Sequence, residues 1–133
     1  MKGLTLIEAL VILIVMTVLI LVSAHVYRGH LYKSRRMDGI TTLLAVAESE
    51  HEYFVNNARY ADLDRIWGGT SNSELGFYEI SIEKVSVSGY VATAQALRAQ
   101  SQDKVQDQSC AKLTLTVERN RLVKTPAVCW GSY

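Results

Sequence analysis

Apolar residues fill the chain from Leu4 to Ala24 almost without a break, and Glu8 is the one charge among them. At ~1.5 Å per residue, a helix of that length reaches across about 30 Å, the thickness of a hydrocarbon layer. The run therefore predicts a membrane-inserted helix. Past it, the pattern becomes periodic. Ile40, Leu43, Leu44, Ala47 and Phe54 recur at helical spacing between Met37 and Asn57, with Glu48, Glu50 and Glu52 expected on the other faces. No proline separates the two stretches, so one helix is expected from about Leu4 to about Asn56. Residues 58–76 read as a loop with a short turn at Asp64 to Trp67. In Phe77 to Val85, Tyr78, Ile80 and Ile82 alternate with Glu79, Ser81 and Glu83, the period of a half-buried strand. Ser86 to Gly89 turns the chain, and Tyr90 to Leu97 returns it. The polar stretch Ser101 to Ser109 is expected to be a loop. Lys112 to Glu118 is a third strand with Leu113, Leu115 and Val117 inward. Arg119-Asn120-Arg121 leads into a short fourth segment, Leu122 to Lys124, which Pro126 ends. The expected fold is α+β: a long N-terminal helix, its first half in a membrane, packed on an antiparallel sheet of three to four strands.

Composition narrows the function. The chain has 133 residues and a net charge of +1, which argues against a general nucleic-acid binder, whose surface is strongly basic. Roughly 110 residues remain outside the apolar run, enough for one modest core. Cys110 and Cys129 are the two cysteines, with no CxxC or Cys/His metal spacing. A single pair behind a membrane segment reads as one disulfide in an oxidising compartment, the alternative being two buried thiols in a cytosolic protein. His25, His30 and His51 share neither a face nor a ligand spacing, and no phosphate loop or nucleophile motif is present. Neither a cofactor nor a metal is expected, and neither is catalysis.

The N-terminus carries the sharpest signal. A secretory signal peptide cut after Ala24, or an ordinary single-span anchor, would account for the apolar run. Neither accounts for Glu8, because a carboxylate in apolar surroundings is costly and marks function. Lys2-Gly3 followed by Leu4-Thr5-Leu6-Ile7-Glu8 and a long apolar helix resembles the type IV prepilin signature. Tyr27 and Lys33-Ser34-Arg35-Arg36 resemble the stretch after the apolar helix in type IVa pilins. Asn56-Asn57-Ala58-Arg59-Tyr60-Ala61 resembles their helix-to-loop junction. The region from Cys110-Ala111-Lys112-Leu113 to Lys124-Thr125-Pro126 and Cys129-Trp130 is similar to the disulfide-bounded end of pilins and minor pilins of the PilE-like group.

The resemblance implies residues 1–3 as leader, 4–25 as the transmembrane and filament-core helix, and 26–133 as a periplasmic globular domain. It implies cleavage between Gly3 and Leu4 by a prepilin peptidase, N-methylation of Leu4, and pairing of Glu8 with the amine of a neighbouring subunit. It also implies other pilin subunits and the inner-membrane pilus assembly machinery as partners, with the chain passing from the inner membrane to a surface pilus. The cations Arg28, Lys33, Arg35 and Arg36 after the span would favour the opposite orientation, but the leader motif and the cysteine pair outweigh them. Major pilins often have a proline where this chain has His25 and a glycine where it has Thr17, so a stiffer helix is expected here, with Gly29 as the milder weak point.

Lys33, Arg35 and Arg36 are expected to meet lipid headgroups or acidic neighbours. Arg119, Arg121 and Lys124 gather around the last turn. The plain reading is a solvated hairpin tip, and the sharper one is a DNA contact. Trp67, Trp130 and Tyr133 are expected in the core rather than on a recognition surface. The leading expectation is a structural subunit of a type IV pilus, most simply a minor pilin serving assembly, motility, adhesion or DNA uptake. The alternatives are a DNA-binding competence pilin and a type II secretion pseudopilin, against which the missing calcium loop and the cysteine pair weigh.

Overall fold

The computed structural model describes residues 5–83, 85–119 and 121–131, apart from the side chains at 24–26. The chain falls into two compact units, Met1–Tyr32 and Lys33–Tyr133. Helix α1 (Leu6–Asn57) contributes to both. In the first unit its side chains from Leu6 to Ser23 are exposed, and the segment is long and apolar enough to cross a membrane. Its hydroxyls are satisfied within the helix. Thr17 Oγ1 donates to the Leu13 carbonyl at 2.7 Å and Ser23 Oγ to that of Leu19 at 2.8 Å. A hydrocarbon surrounding would require such bonds within the helix, because no water is there to take them. The expected cleavage and methylation positions, Gly3 and Leu4, lie outside the described residues.

In the second unit, Ile40, Leu43 and Val46 form a buried stripe along α1. Each such side chain stabilises by about 1.5–3 kcal/mol when fully removed from water. The stripe packs on a four-stranded antiparallel sheet in the order β1 (Tyr78–Glu83), β2 (Gly89–Ala96), β5 (Lys112–Glu118), β6 (Arg121–Thr125). Alternation sends Tyr78, Ile80, Tyr90, Ala92, Ala94, Leu113 and Leu115 onto the helix side. The alanines of β2, Ala92, Ala94 and Ala96, are buried in the same core. At Gly39 a Cβ would stand 2.9 Å from the Tyr78 ring.

Four expectations change. Leu44 is 40% exposed and Val46 takes the inward place, because Leu44 lies about a third of a turn off the stripe. Glu50, expected on a solvent face, is fully buried: it follows Val46 by four residues and Ala47 by three, which puts it in the middle of the stripe. The stretch after β2 is not a plain loop. A 3-10 turn (Arg98–Gln102) leads into a small hairpin, β3 (Lys104–Val105) and β4 (Gln108–Ser109). Gln106 and Asp107 both take positive φ, 48° and 63°, as a tight hairpin turn requires, although their sequence lacks the usual Asn-Gly signal. Finally, the tail forms a helical turn, α3 (Ala127–Trp130), which buries Cys129 and Trp130. The turn expected at Asp64 to Trp67 is helix α2 (Leu63–Trp67).

Buried polar groups tie the loops to α1. Asp38 accepts hydrogen bonds from Ser73 Oγ at 2.5 Å, Leu75 N at 3.0 Å and Phe77 N at 3.3 Å. Arg36 donates through Nε and Nη2 to the two oxygens of Asp103, at 2.6 and 2.8 Å. Asp103 in turn takes Gln100 Nε2 at 3.2 Å, and its carbonyl takes Cys110 N at 2.8 Å. Cys110 and Cys129 form a disulfide across 19 residues. In the chain-entropy account such a loop closure stabilises by about 3 kcal/mol.

Candidate nucleic-acid interface

The turn after β5 stands beside the turn between β1 and β2. Arg119, at φ 47°, donates its backbone N–H to the Ser88 carbonyl at 2.9 Å, so the two turns form one end of the sheet. Ser86 Oγ accepts the N–H groups of Ser88 and Gly89, which fixes the first turn. Arg119 and Arg121 line an open depression of about 400 Å3 with Thr116, Glu118 and Val123. Among the described residues, neither guanidinium forms an ion pair. Glu118 faces Arg121 across the β5–β6 register and offsets one of the two charges. The depression therefore keeps a surplus of positive charge beside a threonine hydroxyl. Arginine and hydroxyl side chains are the groups that take phosphate oxygens.

The expected trio is not one cluster. Register places Lys124 opposite Leu115, on the helix side of the sheet, whereas Arg121 pairs with Glu118 on the outer side. Lys124 Nζ instead lies 5.2 Å from the centre of the Trp130 ring, a cation–π contact. The ring itself is buried, and its Nε1 donates to the Thr125 carbonyl at 3.3 Å. Trp67 is half-buried against the core, and Tyr133 lies outside the described residues.

The basic run after the apolar helix is likewise divided. Lys33 is exposed, but Arg36 is buried with Asp103 as its acidic neighbour, and Arg35 lies 4.8 Å from the centre of the Phe77 ring. Glu8 is exposed on the first turns of α1. Among the described residues, no group of His, Cys, Asp and Glu is placed to hold a metal.

Two positions escaped the sequence reading. Glu50 Oε2 accepts Ala61 N at 2.9 Å, pinning the chain where α1 ends, while Oε1 has no hydrogen-bond partner among the described residues. Burial, with Asp62 adding to it, pushes this carboxyl above its usual 4.5 against the pull of the Ala61 N–H. Beside it, burial raises the Tyr90 phenol, and Tyr60 stacks on Phe54 at 4.7 Å and tilts on Tyr90 at 5.0 Å. Burial likewise raises Tyr78 to about 12, so both phenols stay neutral at physiological pH. The spacing of Glu50 from Val46 was the available signal. For Asp103 there was none, since its partner Arg36 is 67 residues away.

Residues 26–114 match the family model described as type IV minor pilin ComP, DNA uptake sequence receptor. The chain belongs to the ComP family of type IV minor pilins. No curated protein matches it. The ComP match covers about two thirds of the chain, from the end of the apolar stretch into β5. A type IV minor pilin with a long apolar helix, an α+β domain and a disulfide is what the N-terminal and C-terminal motifs implied. The match ends before Arg119, Arg121 and Lys124, so the case for a ligand at the β5–β6 turn rests on the geometry of that turn.

Proposed function

We propose that this ComP-family chain is a minor pilin that binds DNA at the pilus through Arg119 and Arg121. The carrying observation is the pair of guanidiniums in one open depression at the end of the sheet, neither of which forms an ion pair among the described residues and only one of which faces a carboxylate. The description of the family as a DNA uptake sequence receptor supports the same reading. Phosphate contacts of this type position a duplex, and base recognition would be added by neighbouring groups. Lys124 is set apart from this contact by its place on the other face of β6.

The rest of the reading follows the prepilin pathway. A prepilin peptidase cuts between Gly3 and Leu4, and Leu4 is N-methylated. The apolar part of α1 holds the chain in the inner membrane with the globular domain in the periplasm. The assembly machinery then transfers it to the pilus, where Glu8 pairs with the amine of a neighbouring pilin. Physics favours that pairing, because a carboxylate in an apolar layer needs a cation.

The test is the salt dependence of duplex binding by the full-length, detergent-solubilised chain. Each phosphate contact contributes a slope of about −0.9 in log K against log salt. Arg119→Gln with Arg121→Gln is expected to reduce the slope by about 2, and Lys124→Gln to leave it near the wild-type value. An unchanged slope in the double variant would place the DNA elsewhere.

A further inference from the structure

A different pair of arginines shares a recess where α1 ends. Arg59 and Arg65 line a cavity of about 150 Å3 with Tyr53, Tyr60, Asp62 and Val85. Arg59 comes from the turn after α1, and Arg65 from α2. Among the described residues, neither guanidinium forms an ion pair. Asp62 is the one carboxylate among the described residues that line the cavity, and it pairs with neither arginine. Formal charge in the recess is therefore positive. Two like charges that share a recess repel each other unless an anion lies between them.

The backbone that carries these arginines is already fixed. Ala58 takes φ 54°, and its N–H donates to the Phe54 carbonyl at 2.8 Å, which closes α1 just before Arg59. Tyr60 is held by its stacking on Phe54, and Ala61 N by buried Glu50 at 2.9 Å. Arg65 N donates to the Asp62 carbonyl at 3.0 Å. Little ordering of the chain remains to be done when a ligand binds. Size and donor count then select the ligand. The cavity is smaller than the ~300 Å3 at which ordinary small-molecule sites begin, so it suits one compact group. A guanidinium holds an oxyanion best through two parallel N–H···O bonds. Two guanidiniums call for more acceptor oxygens than a single carboxylate has, and a phosphate group supplies at least three.

We infer that the Arg59–Arg65 recess binds a small phosphate anion, either inorganic phosphate or the phosphate of a soluble monoester. The anion joins the end of α1, helix α2 and the stretch after β1 in which Val85 stands. A ligand that bridges these pieces binds the folded chain and not the unfolded one, so it raises the melting temperature. The site is separate from the proposed DNA contact, because Arg119 and Arg121 line a different depression.

The test follows thermal melting of the full-length chain in an uncharged detergent, with inorganic phosphate or glycerol phosphate replacing chloride at constant ionic strength. A rise in melting temperature that saturates with either phosphate is expected, and none with acetate. Line broadening in the phosphorus NMR signal of inorganic phosphate reads binding directly, whatever a variant does to stability. Arg59→Gln and Arg65→Gln are each expected to weaken phosphate binding about tenfold or more. Lys33→Gln, an exposed cation elsewhere on α1, is expected to leave it unchanged. An equal shift with acetate would overturn the inference, as would an equal loss in Lys33→Gln or the absence of any phosphate effect on wild type. If the two arginine variants flatten the salt slope of duplex binding and keep their phosphate binding, the recess belongs to the DNA interface; this inference then falls while the DNA reading stands.

Discussion

Glu50 has a simple physical problem. Its carboxylate is buried among Val46, Ala61 and Tyr90, with one oxygen bonded and the other not. The folded chain therefore holds the proton more tightly than the unfolded chain does. The stability this contributes is complete below pH 4.5 and is lost as pH rises through the raised folded-state value. Thermal melts across pH 4 to 8 are expected to show wild type losing stability relative to Glu50→Gln as pH rises; parallel curves would contradict that. Arg36 and Asp103 pose the opposite case, a buried pair that satisfies itself. Removing one partner strands a buried charge, so Arg36→Ala or Asp103→Ala is expected to cost about 3–5 kcal/mol in denaturant melts. Joint replacement by Met and Leu is expected to cost much less, and equal costs would refute the pairing argument.

At the scale of elements, α1 was legible because its two halves carry different signals, an unbroken apolar run and a 3.6-residue stripe. The strands were legible from alternation, and β5 kept the expected bounds of Lys112–Glu118. What escaped was decided by contacts distant in sequence. Glu50 looked like one of three solvent glutamates, and only the return of the chain at Ala61 gives its carboxylate a donor. The β3–β4 hairpin escaped because Gln106-Asp107 takes positive φ without the Asn-Gly signal that marks such turns in a sequence. The two glycines of α1 that flank the basic run separate helix propensity from packing. A Cβ at Gly29 meets nothing within 4 Å, whereas one at Gly39 meets the Tyr78 ring at 2.9 Å. Gly29→Ala is expected to stabilise α1 by up to about 1 kcal/mol. Gly39→Ala is expected to destabilise by about 1–3 kcal/mol through overpacking, despite the same gain in propensity. Melting curves that rank the two in the other order would contradict the packing.

At the scale of the whole molecule, the pilin family was legible from the two ends of the chain, where Glu8 and the cysteine pair make little sense in any simpler protein. The candidate interface was half legible. Arg119, Arg121 and Lys124 lie within six residues of sequence, but strand alternation sends Lys124 to the face opposite Arg121, where it meets Trp130. The proposed function requires the chain to mature as a prepilin and enter a filament. Intact mass and N-terminal analysis of the chain recovered from sheared filaments tests it most directly. A chain that begins at N-methylated Leu4 is expected. A chain that begins after Ala24, or one that keeps Met1, would contradict it.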